Sequence, residues 1–441
     1  MTNKSKKPVQ RVLRSFQEFA RAEASGGILL LMCTVVALVW SNSVWSDGYR
    51  AAWQTEVTIG FGGFVLSKPL LLWINDGLMA IFFFVVGLEI KREVLVGELA
   101  SRKQAALPII AALGGMVVPA VIYTAFNAGT PGARGWGIPM ATDIAFAIGI
   151  LALLGNRVPV ALKVFLVALA IVDDIGAVLV IALFYTAEIS WPSLAIGGGL
   201  LICLVLANIA GVRRPLIYGV LGTGLWLAFL KSGVHATVAG VLVAMTIPSR
   251  YRINTGELIS EGRALLDEIE RVGDSSEGAV TDEEQVAVRN LETACERVQT
   301  PLQRLEDGLH RWVTFAIMPV FALANAGVVL GGGLALTSRI SWGVIAGLVL
   351  GKQIGITGFA WLAVRTRVAS MPRGTTWRQI YGAAWLGGIG FTMSVFIASL
   401  AFGDSAHLAA AKLGILIASI VAALAGWLLL RAASLQSDAG E

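Results

Sequence analysis

Long apolar blocks dominate the chain, and short polar segments separate them. Typical blocks are Leu70–Leu88, Leu194–Ala210 and Leu413–Leu430, each close to the roughly 20 residues with which an α-helix crosses a bilayer. In hydrocarbon every backbone N–H and C=O must find a partner within the segment, so the blocks are predicted to be helices. The pattern predicts about twelve spans, near residues 25–43, 70–90, 105–127, 137–155, 160–186, 192–211, 215–230, 232–248, 311–331, 341–364, 380–402 and 406–430.

Composition leads to the same class of protein. Of 441 residues, 56% are hydrophobic and only 14% are charged, with a mean hydropathy of +0.74. A soluble domain carries about a quarter charged residues, so this chain is far too apolar to be covered by a water-facing shell. The sequence therefore predicts an all-α integral membrane protein, with the lipid bilayer as its first partner.

The distribution of basic residues sets an orientation. A net charge of +5 could indicate nucleic-acid binding, but Lys and Arg collect in the loops on one side of the predicted spans. The positive-inside rule makes that side cytoplasmic and places both termini there, which an even number of spans allows. We therefore expect a multi-pass protein with no nucleic-acid partner.

The predicted spans divide the chain into one membrane domain with soluble additions. These parts are a basic cytoplasmic tail at 1–24, spans one to eight at 25–248, a long charged cytoplasmic loop at 249–310, spans nine to twelve at 311–430, and a cytoplasmic tail at 431–441. Apolar residues recur at helical spacing in the long loop, which favours two amphipathic helices, although a solvated helical hairpin without a function fits equally well.

A second soluble feature lies outside the membrane, at about 55–67. There β-forming residues flank Gly60 and the Gly62–Gly63 pair, a pattern that predicts a β-hairpin, with a disordered loop as the alternative. A single hairpin is marginal in water, so it should pair with another structure, such as a second copy of itself.

A weak internal symmetry relates spans four and eleven. Thr142-Asp143-Ile144-Ala145-Phe146 matches Thr392-Met393-Ser394-Val395-Phe396 at the Thr and Phe, and Pro or Gly residues precede both. The two spans run in opposite directions. Interrupted spans in corresponding, inverted halves are typical of transporters with inverted-topology repeats, whose broken helices cross at a binding site near the midplane.

Four charged residues lie deep inside predicted spans: Asp143 in span four, Asp173 and Asp174 in span five, and Lys352 in span ten. Each would cost roughly 2.5–3.5 kcal/mol at the bilayer centre unless it pairs, faces water or becomes neutral. Structural ion pairs are one explanation, but ionisable residues at this depth usually belong to a functional site.

The adjacent Asp173 and Asp174 suggest the chemistry. Two carboxylates in a low dielectric cannot both ionise easily, which brings protonation within reach of physiological pH. The same oxygens suit a hard cation such as Na⁺ or Li⁺, so protons and the cation would compete for them. Successive helical residues point about 100° apart, so one Asp should face the cation and the other a partner such as Lys352. Asp143 and Lys352 could instead offset the partial charges of helix ends where broken helices cross.

Several strings resemble the NhaA family of bacterial sodium/proton antiporters over about residues 15–430, apart from the long loop. They are Trp73–Leu99, Ala141–Ala147, Ala168–Ala177, Leu230–Ala239, Val320–Gly327 and Gly388–Phe402. The resemblance implies electrogenic, pH-regulated exchange of cytoplasmic Na⁺ or Li⁺ for external H⁺ in the bacterial inner (plasma) membrane. It also implies a homodimer through the hairpin at 55–67, and no cofactor beyond the transported ions.

The resemblance also implies roles for single residues. Asp174 matches the principal cation-binding carboxylate, and Asp173 its partner, which a lysine at Lys352 engages. Thr142 and Asp143 match the extended chain at the helix crossing. Transported Na⁺ or Li⁺ would therefore be held by Asp174 and Asp173.

A pH response is implied for a second group of residues, namely Glu89, Lys91, Arg92 and Glu93 with Glu306, and also His235. Asp76 matches an acidic residue at the periplasmic end of span two. Simpler roles are open: His235 could be a packing residue, and the charges from Glu89 to Glu93 could form an ordinary solvated helix end. The loop at 249–305 is longer and more acidic than is usual in the family.

Other classes of function fit the residues less well. An intramembrane aspartyl protease needs one Asp on each of two helices, whereas here the pair is adjacent. A midplane lysine beside the acids would repel cations from a channel. The main alternative is a sodium-coupled carrier of an organic solute with a similar fold, which should have a roomier polar cavity.

Overall fold

The computed structural model describes residues 25–61, 64–186, 189–249, 300–329, 337–403 and 405–438, together with isolated residues of the long loop. Within them the chain forms fourteen helices and one hairpin. The helices up to the long loop are α1 Ser25–Ser41, α2 Ser46–Gln54, α3 Leu70–Val96, α4 Arg102–Asn127, α5 Ile144–Leu154, α6 Val160–Phe184, α7 Trp191–Ile209, α8 Pro215–Ser232 and α9 Thr237–Thr246.

The helices after the loop begin with α10, which joins Pro301–Trp312, a π-helical turn at Val313–Ile317, and Met318–Asn325. The others are α11 Arg339–Arg365, α12 Trp377–Gly387, α13 Phe391–Phe402 and α14 Ala406–Asp438.

Each of the twelve predicted spans falls on one of these helices or on a pair of them. Among the described residues, eight helical segments are long and apolar enough to cross a membrane, and two bent pairs, α1–α2 and α12–α13, raise the number to ten. Predicted spans eight and nine fall on α9, which is only 10 residues long, and on α10. The predicted all-α membrane architecture is confirmed.

Both spans predicted to be interrupted are broken. In span four a 3₁₀ helix at Pro131–Met140 gives way to extended backbone at 141–143 before α5 begins. In span eleven α12 and α13 meet at 43° across a short break. Gly388 and Ile389 lie in that break, and α13 restarts at Phe391. The interruptions release backbone donors and acceptors from regular helical pairing in both spans.

The apolar segment before the hairpin ends in a sharp turn rather than continuing. Helices α1 and α2 meet at 114°, and the strands β1 Glu56–Phe61 and β2 Phe64–Pro69 follow as an antiparallel pair with Ile59 opposite Leu66. The hairpin therefore extends two residues beyond the predicted end at Ser67. We call the side of the bundle that carries it the hairpin face.

The opposite side carries Lys91 and Arg92 at one end of α3, and we call it the basic face. Most of the loop predicted to hold two amphipathic helices, 250–299, lies outside the described residues. Where the description resumes, Thr300 caps α10 through a reciprocal capping box with Gln303. At the other end of the chain, α14 continues through the predicted tail as far as Asp438.

The outer surface and the interior differ as a bilayer requires. Large apolar side chains such as Ile209 and Leu216, both 77% exposed, cover the outside. Inside, α4 and α11 pack backbone to backbone: a Cβ on Gly355 would lie 2.1 Å from the carbonyl oxygen of Gly114. This close approach of small residues brings Lys352, one turn before Gly355, to the centre of the bundle.

Candidate functional site

The two broken spans are joined at Asp143. Its backbone N–H donates to the carbonyl oxygen of Ile389 at 2.6 Å. Its Oδ1 accepts from the N–H of Phe146 at 3.2 Å, and its Oδ2 accepts from the N–H of Thr392 at 3.0 Å and from the Thr392 hydroxyl. One carboxylate therefore binds the N-terminal N–H groups of both α5 and α13, the ends that carry partial positive charge.

Lys352 forms a buried ion pair with Asp173. The Nζ atom lies 2.5 Å from Asp173 Oδ2 and 3.0 Å from the hydroxyl of Thr142, and the side chains of both ions are fully buried. The Thr142 hydroxyl also lies 2.6 Å from Asp173 Oδ2 and 2.8 Å from the carbonyl oxygen of Gly387. The pair thus links α6 and α11 to both broken spans, and its opposite charges offset one another in a low dielectric.

Asp174 is buried to the same extent but is bonded differently. It is 1% exposed, and no side chain or N–H within the described residues donates a hydrogen bond to it; its Oδ1 is fully enclosed. A carboxylate in such a setting needs a proton or a cation to offset its charge. The adjacent Asp173 and Asp174 therefore differ in their availability, because only Asp173 has a cationic partner.

A small cavity reaches Asp174 from one side. It has a volume of about 60 Å³, and its lining includes the side chains of Asp143, Asp174 and Thr142 at one end and Glu89 and His310 toward the basic face. Carboxylate and hydroxyl oxygens are the ligands that hard cations prefer. The cavity therefore lies between the Asp174 carboxylate and the side chains of Glu89 and His310, which are nearer the face that carries Lys91 and Arg92.

The predicted pH-response residues Glu89, Arg92, Glu93 and Glu306 meet at the basic face. Arg92 lies 2.6 Å from Glu306 Oε1 and 3.3 Å from Glu93 Oε1. Burial raises the pKa of the Glu306 carboxyl to about 7, against the opposing charge of Arg92 and with additional repulsion from Glu89. His310, which sequence reasoning left without a role, lies 3.6 Å from Glu89. The cluster contains a carboxyl that changes charge near neutral pH.

Asp76 and His235 form a separate cluster near the hairpin face. Asp76 Oδ2 lies 2.9 Å from Lys68 Nζ, its Oδ1 lies 3.8 Å from His235 Nε2, and its backbone carbonyl accepts from the indole of Trp226. The Nδ1 atom of His235 lies 2.7 Å from the hydroxyl of Thr237. The structure thus separates His235 from the cluster around Glu306.

Sequence reasoning missed three contributors to these clusters. Thr392 was noted only as part of an internal repeat, although the same repeat could have identified it as a partner for Asp143. Lys68 and His310 carried no signal beyond their charge, because their distances to Asp76 and Glu89 depend on how separate helices pack.

Comparison with known proteins identifies the family. The model of the family described as Na⁺/H⁺ antiporter 1 matches residues 17–430. The chain is 55% identical over 428 residues to the Na(+)/H(+) antiporter NhaA of Oleidesulfovibrio alaskensis, covering 96% of this chain and 95% of that protein. It is 53% identical to the NhaA of Koribacter versatilis, over 95% and 91% of the two chains. It is also 48% identical to NhaA 1 of Klebsiella pneumoniae, over 95% and 96%. The chain therefore belongs to the NhaA family of Na⁺/H⁺ antiporters.

Proposed function

We propose that this protein exchanges Na⁺ or Li⁺ for protons by competition at Asp174. The observation that carries the proposal is the unequal bonding of the two adjacent carboxylates: Asp173 is paired with Lys352, and Asp174 faces the cavity without a donor among the described residues. A proton or a cation can neutralise Asp174, but both cannot occupy it together. Each cation that binds therefore displaces a proton.

Asp173 and Lys352 supply a second titrating unit in this proposal. When a cation recruits an oxygen of Asp173, the contact of 2.5 Å to Lys352 weakens. A buried ammonium without its partner is costly, so Lys352 then releases its proton. Two protons leave for each monovalent cation that binds, which makes exchange electrogenic and lets the membrane potential drive cation extrusion.

The broken spans give this site two accessible states. Asp143 binds the N-terminal ends of α5 and α13 at the crossing, so the crossing can shift without leaving these ends uncompensated. In this structure the cavity extends from Asp174 toward the basic face. We infer an alternating-access cycle in which a second state opens the site toward the hairpin face.

The distribution of charged residues supports a proposal for the orientation and the membrane location of the protein. We propose that the basic face is cytoplasmic, that both termini lie there, and that the protein resides in the bacterial inner membrane. The hairpin β1–β2 then lies outside, where its free edges suit pairing with the hairpin of a second copy to form a homodimer. Beyond the bilayer and this second copy, the proposal requires no cofactor and no nucleic acid.

A pH response is proposed for the cluster of Arg92, Glu89, Glu93 and Glu306. The pKa of Glu306, about 7, means that this carboxyl loses its proton as the cytoplasm becomes alkaline. The resulting charge changes the electrostatic balance around Arg92, one turn along α3 from Glu89, which lines the cavity. His235 and Asp76 lie near the opposite face and would respond to external conditions instead.

Purified protein in proteoliposomes tests the proposal. Na⁺ or Li⁺ added to one side should drive protons to that side, K⁺ should do much less, and the rate should depend on membrane potential. A sodium-coupled solute carrier would instead move sodium and solute in one direction. The cavity of about 60 Å³ at Asp174 is far below the roughly 300–1,000 Å³ typical of organic-ligand sites. Equal responses to all three cations would refute cation-selective exchange.

A further inference from the structure

Two buried asparagines join α3 and α10 on the hairpin side of the site. Asn325 Nδ2 donates to Asn75 Oδ1 at 2.8 Å, and Asn75 Nδ2 lies 3.4 Å from Asn325 Oδ1. Asn325 also donates to the carbonyl oxygen of Phe321 at 3.1 Å. The two side chains are 7% and 2% exposed. They are 250 residues apart in sequence, so the contact exists only because the two spans converge here.

An aromatic layer separates this pair from the cation cavity. Phe83 of α3 and Phe321 of α10 both pack on Phe396 of α13, with ring centroids 5.6 Å and 6.2 Å apart, and all three are almost completely buried. On α3 the cavity is lined by Phe82, Val85, Val86 and Glu89, next to Phe83 and toward the basic face, whereas Asn75 lies about two turns nearer the hairpin.

The same order holds along α10. Val313, Thr314 and Met318 line the cavity, Phe321 lies in the aromatic layer, and Asn325 follows one turn later. Along α10 the cavity-lining residues therefore precede Phe321, toward the basic face, and the asparagine pair lies beyond it, toward the hairpin face.

We propose that the Asn75–Asn325 pair is the reversible latch that closes the hairpin-face pathway to the site. The inference rests on the proposed exchange function and adds positioning residues for its alternating access. In the closed state the side-chain amides of the two asparagines hydrogen-bond to each other. When α3 and α10 separate, water entering the pathway can satisfy both amides, so opening leaves no buried polar group unpaired. Apolar side chains of the same size would gain nothing from that water and would hold the pathway shut.

The backbone of both spans supports this assignment. Asn75 lies within a π-helical segment at Trp73–Leu78, and α10 carries its own π-helical turn at Val313–Ile317. Such segments interrupt the regular hydrogen-bond ladder and often accompany functional sites. Both spans that the latch joins therefore contain a local departure from α-helical pairing, at which they can bend.

The test uses Asn75→Leu/Asn325→Leu, which keeps the approximate side-chain shape and removes the polar latch. A reporter thiol, Met79→Cys, is introduced after the native Cys33, Cys203 and Cys295 are replaced by Ser. Met79 is fully buried, one turn from Asn75 in the same apolar cluster as the aromatic layer. A charged, membrane-impermeant thiol reagent is then applied to the hairpin face in oriented vesicles, and ²²Na⁺ binding is measured on the detergent-purified protein.

In the double leucine variant the reporter thiol should react with the reagent at least about tenfold more slowly than in the parent. Na⁺ exchange should also be at least about tenfold slower, while ²²Na⁺ binding should change by less than about twofold. The single variants Asn75→Ala and Asn325→Ala should label faster, since each removes the hydrogen bonds that join the two spans. The double alanine variant should equal the singles, because either substitution alone already breaks the pair.

The matched control is Asn127→Leu, another buried amide, which bonds the carbonyl oxygens of Tyr123 and Arg339 away from this pathway. It should leave thiol labelling unchanged even if thermal stability falls. Unchanged labelling and exchange in the double leucine variant, additive effects of the two alanines, or the same slowing in the control would overturn the latch. Absence of exchange in the parent would instead refute the proposed function, while the labelling comparison still decides the latch.

Discussion

The same substitution at two adjacent residues should have different effects on stability. Asp173→Asn removes the partner of Lys352 and leaves an ammonium that is fully buried. Breaking a buried ion pair by removing one member destabilises proteins by about 3–5 kcal/mol, because the remaining charge is uncompensated. Asp174→Asn breaks no hydrogen bond and no ion pair within the described residues, and it removes a buried charge that needed neutralising.

We therefore expect Asp173→Asn to melt well below the parent and Asp174→Asn to melt at or above it. Activity should follow the opposite order. An amide at 174 can neither bind nor release a proton and carries no charge for the cation, so exchange should be abolished at every pH. Asp173→Asn leaves Asp174 to titrate and should retain residual exchange.

The assay pairs thermal unfolding in detergent with Na⁺-driven proton flux in proteoliposomes. Asp76→Asn is a suitable control, because it removes a carboxylate from a different and partly exposed cluster. Two results would refute the reasoning. One is pH-dependent exchange by a folded Asp174→Asn variant, and the other is equal loss of stability in the variants at 173 and 174.

Further predictions concern Glu306, the hairpin and the long loop. Glu306→Gln keeps this side chain neutral at all pH, so the rise in exchange expected from its deprotonation near pH 7 should be lost. A flux profile between about pH 6 and about pH 9 that matches the parent would exclude a role for Glu306. Because this pKa is raised on folding, the contribution of Glu306 to stability should be complete at acidic pH and lost as pH rises through about 7. Deleting Gly60–Phe64 should convert a dimer to a monomer and preserve exchange, and an unchanged dimer by crosslinking would exclude the hairpin from the interface. Deleting about residues 258–300 should change the pH profile without abolishing exchange, because the buried charges lie elsewhere, and complete loss in a folded protein would contradict this.

The parts of the fold that depend on local pattern could be predicted from the sequence. The apolar blocks predicted the helices, of which eight to ten among the described residues are long and apolar enough to cross a membrane, and the residues near Pro139 and Gly388 predicted the interruptions. The rotation of each helix about its own axis cannot be predicted from the apolar blocks in this way. Which of two adjacent aspartates meets Lys352 depends on how closely α4 and α11 approach at Gly114 and Gly355, a packing contact between distant segments.

Pairs of uncharged polar residues were harder still to anticipate. Asn75 and Asn325 belong to strings that resemble the family, but an isolated buried amide gives no indication of its partner. The charged residues were identified because burying a charge in hydrocarbon costs several kcal/mol unless it is neutralised. Burying an amide costs less free energy, so the sequence alone does not mark it as functional. Hydropathy thus identified the charged residues of the proposed ion site but not the asparagines proposed to control access to it.

In the proposed cycle, different roles for Asp173 and Asp174 would explain the presence of two adjacent carboxylates. A single aspartate could hold a proton or a cation, but exchange of one for one would carry no net charge and could not use the membrane potential. A second aspartate without a lysine would leave two like charges side by side once the protons departed. The 2.5 Å contact between Lys352 and Asp173 offsets the charge of one carboxylate in this structure. In the proposed cycle the lysine would store the second proton that makes exchange electrogenic, and its position between both broken spans would couple release of that proton to movement of the crossing.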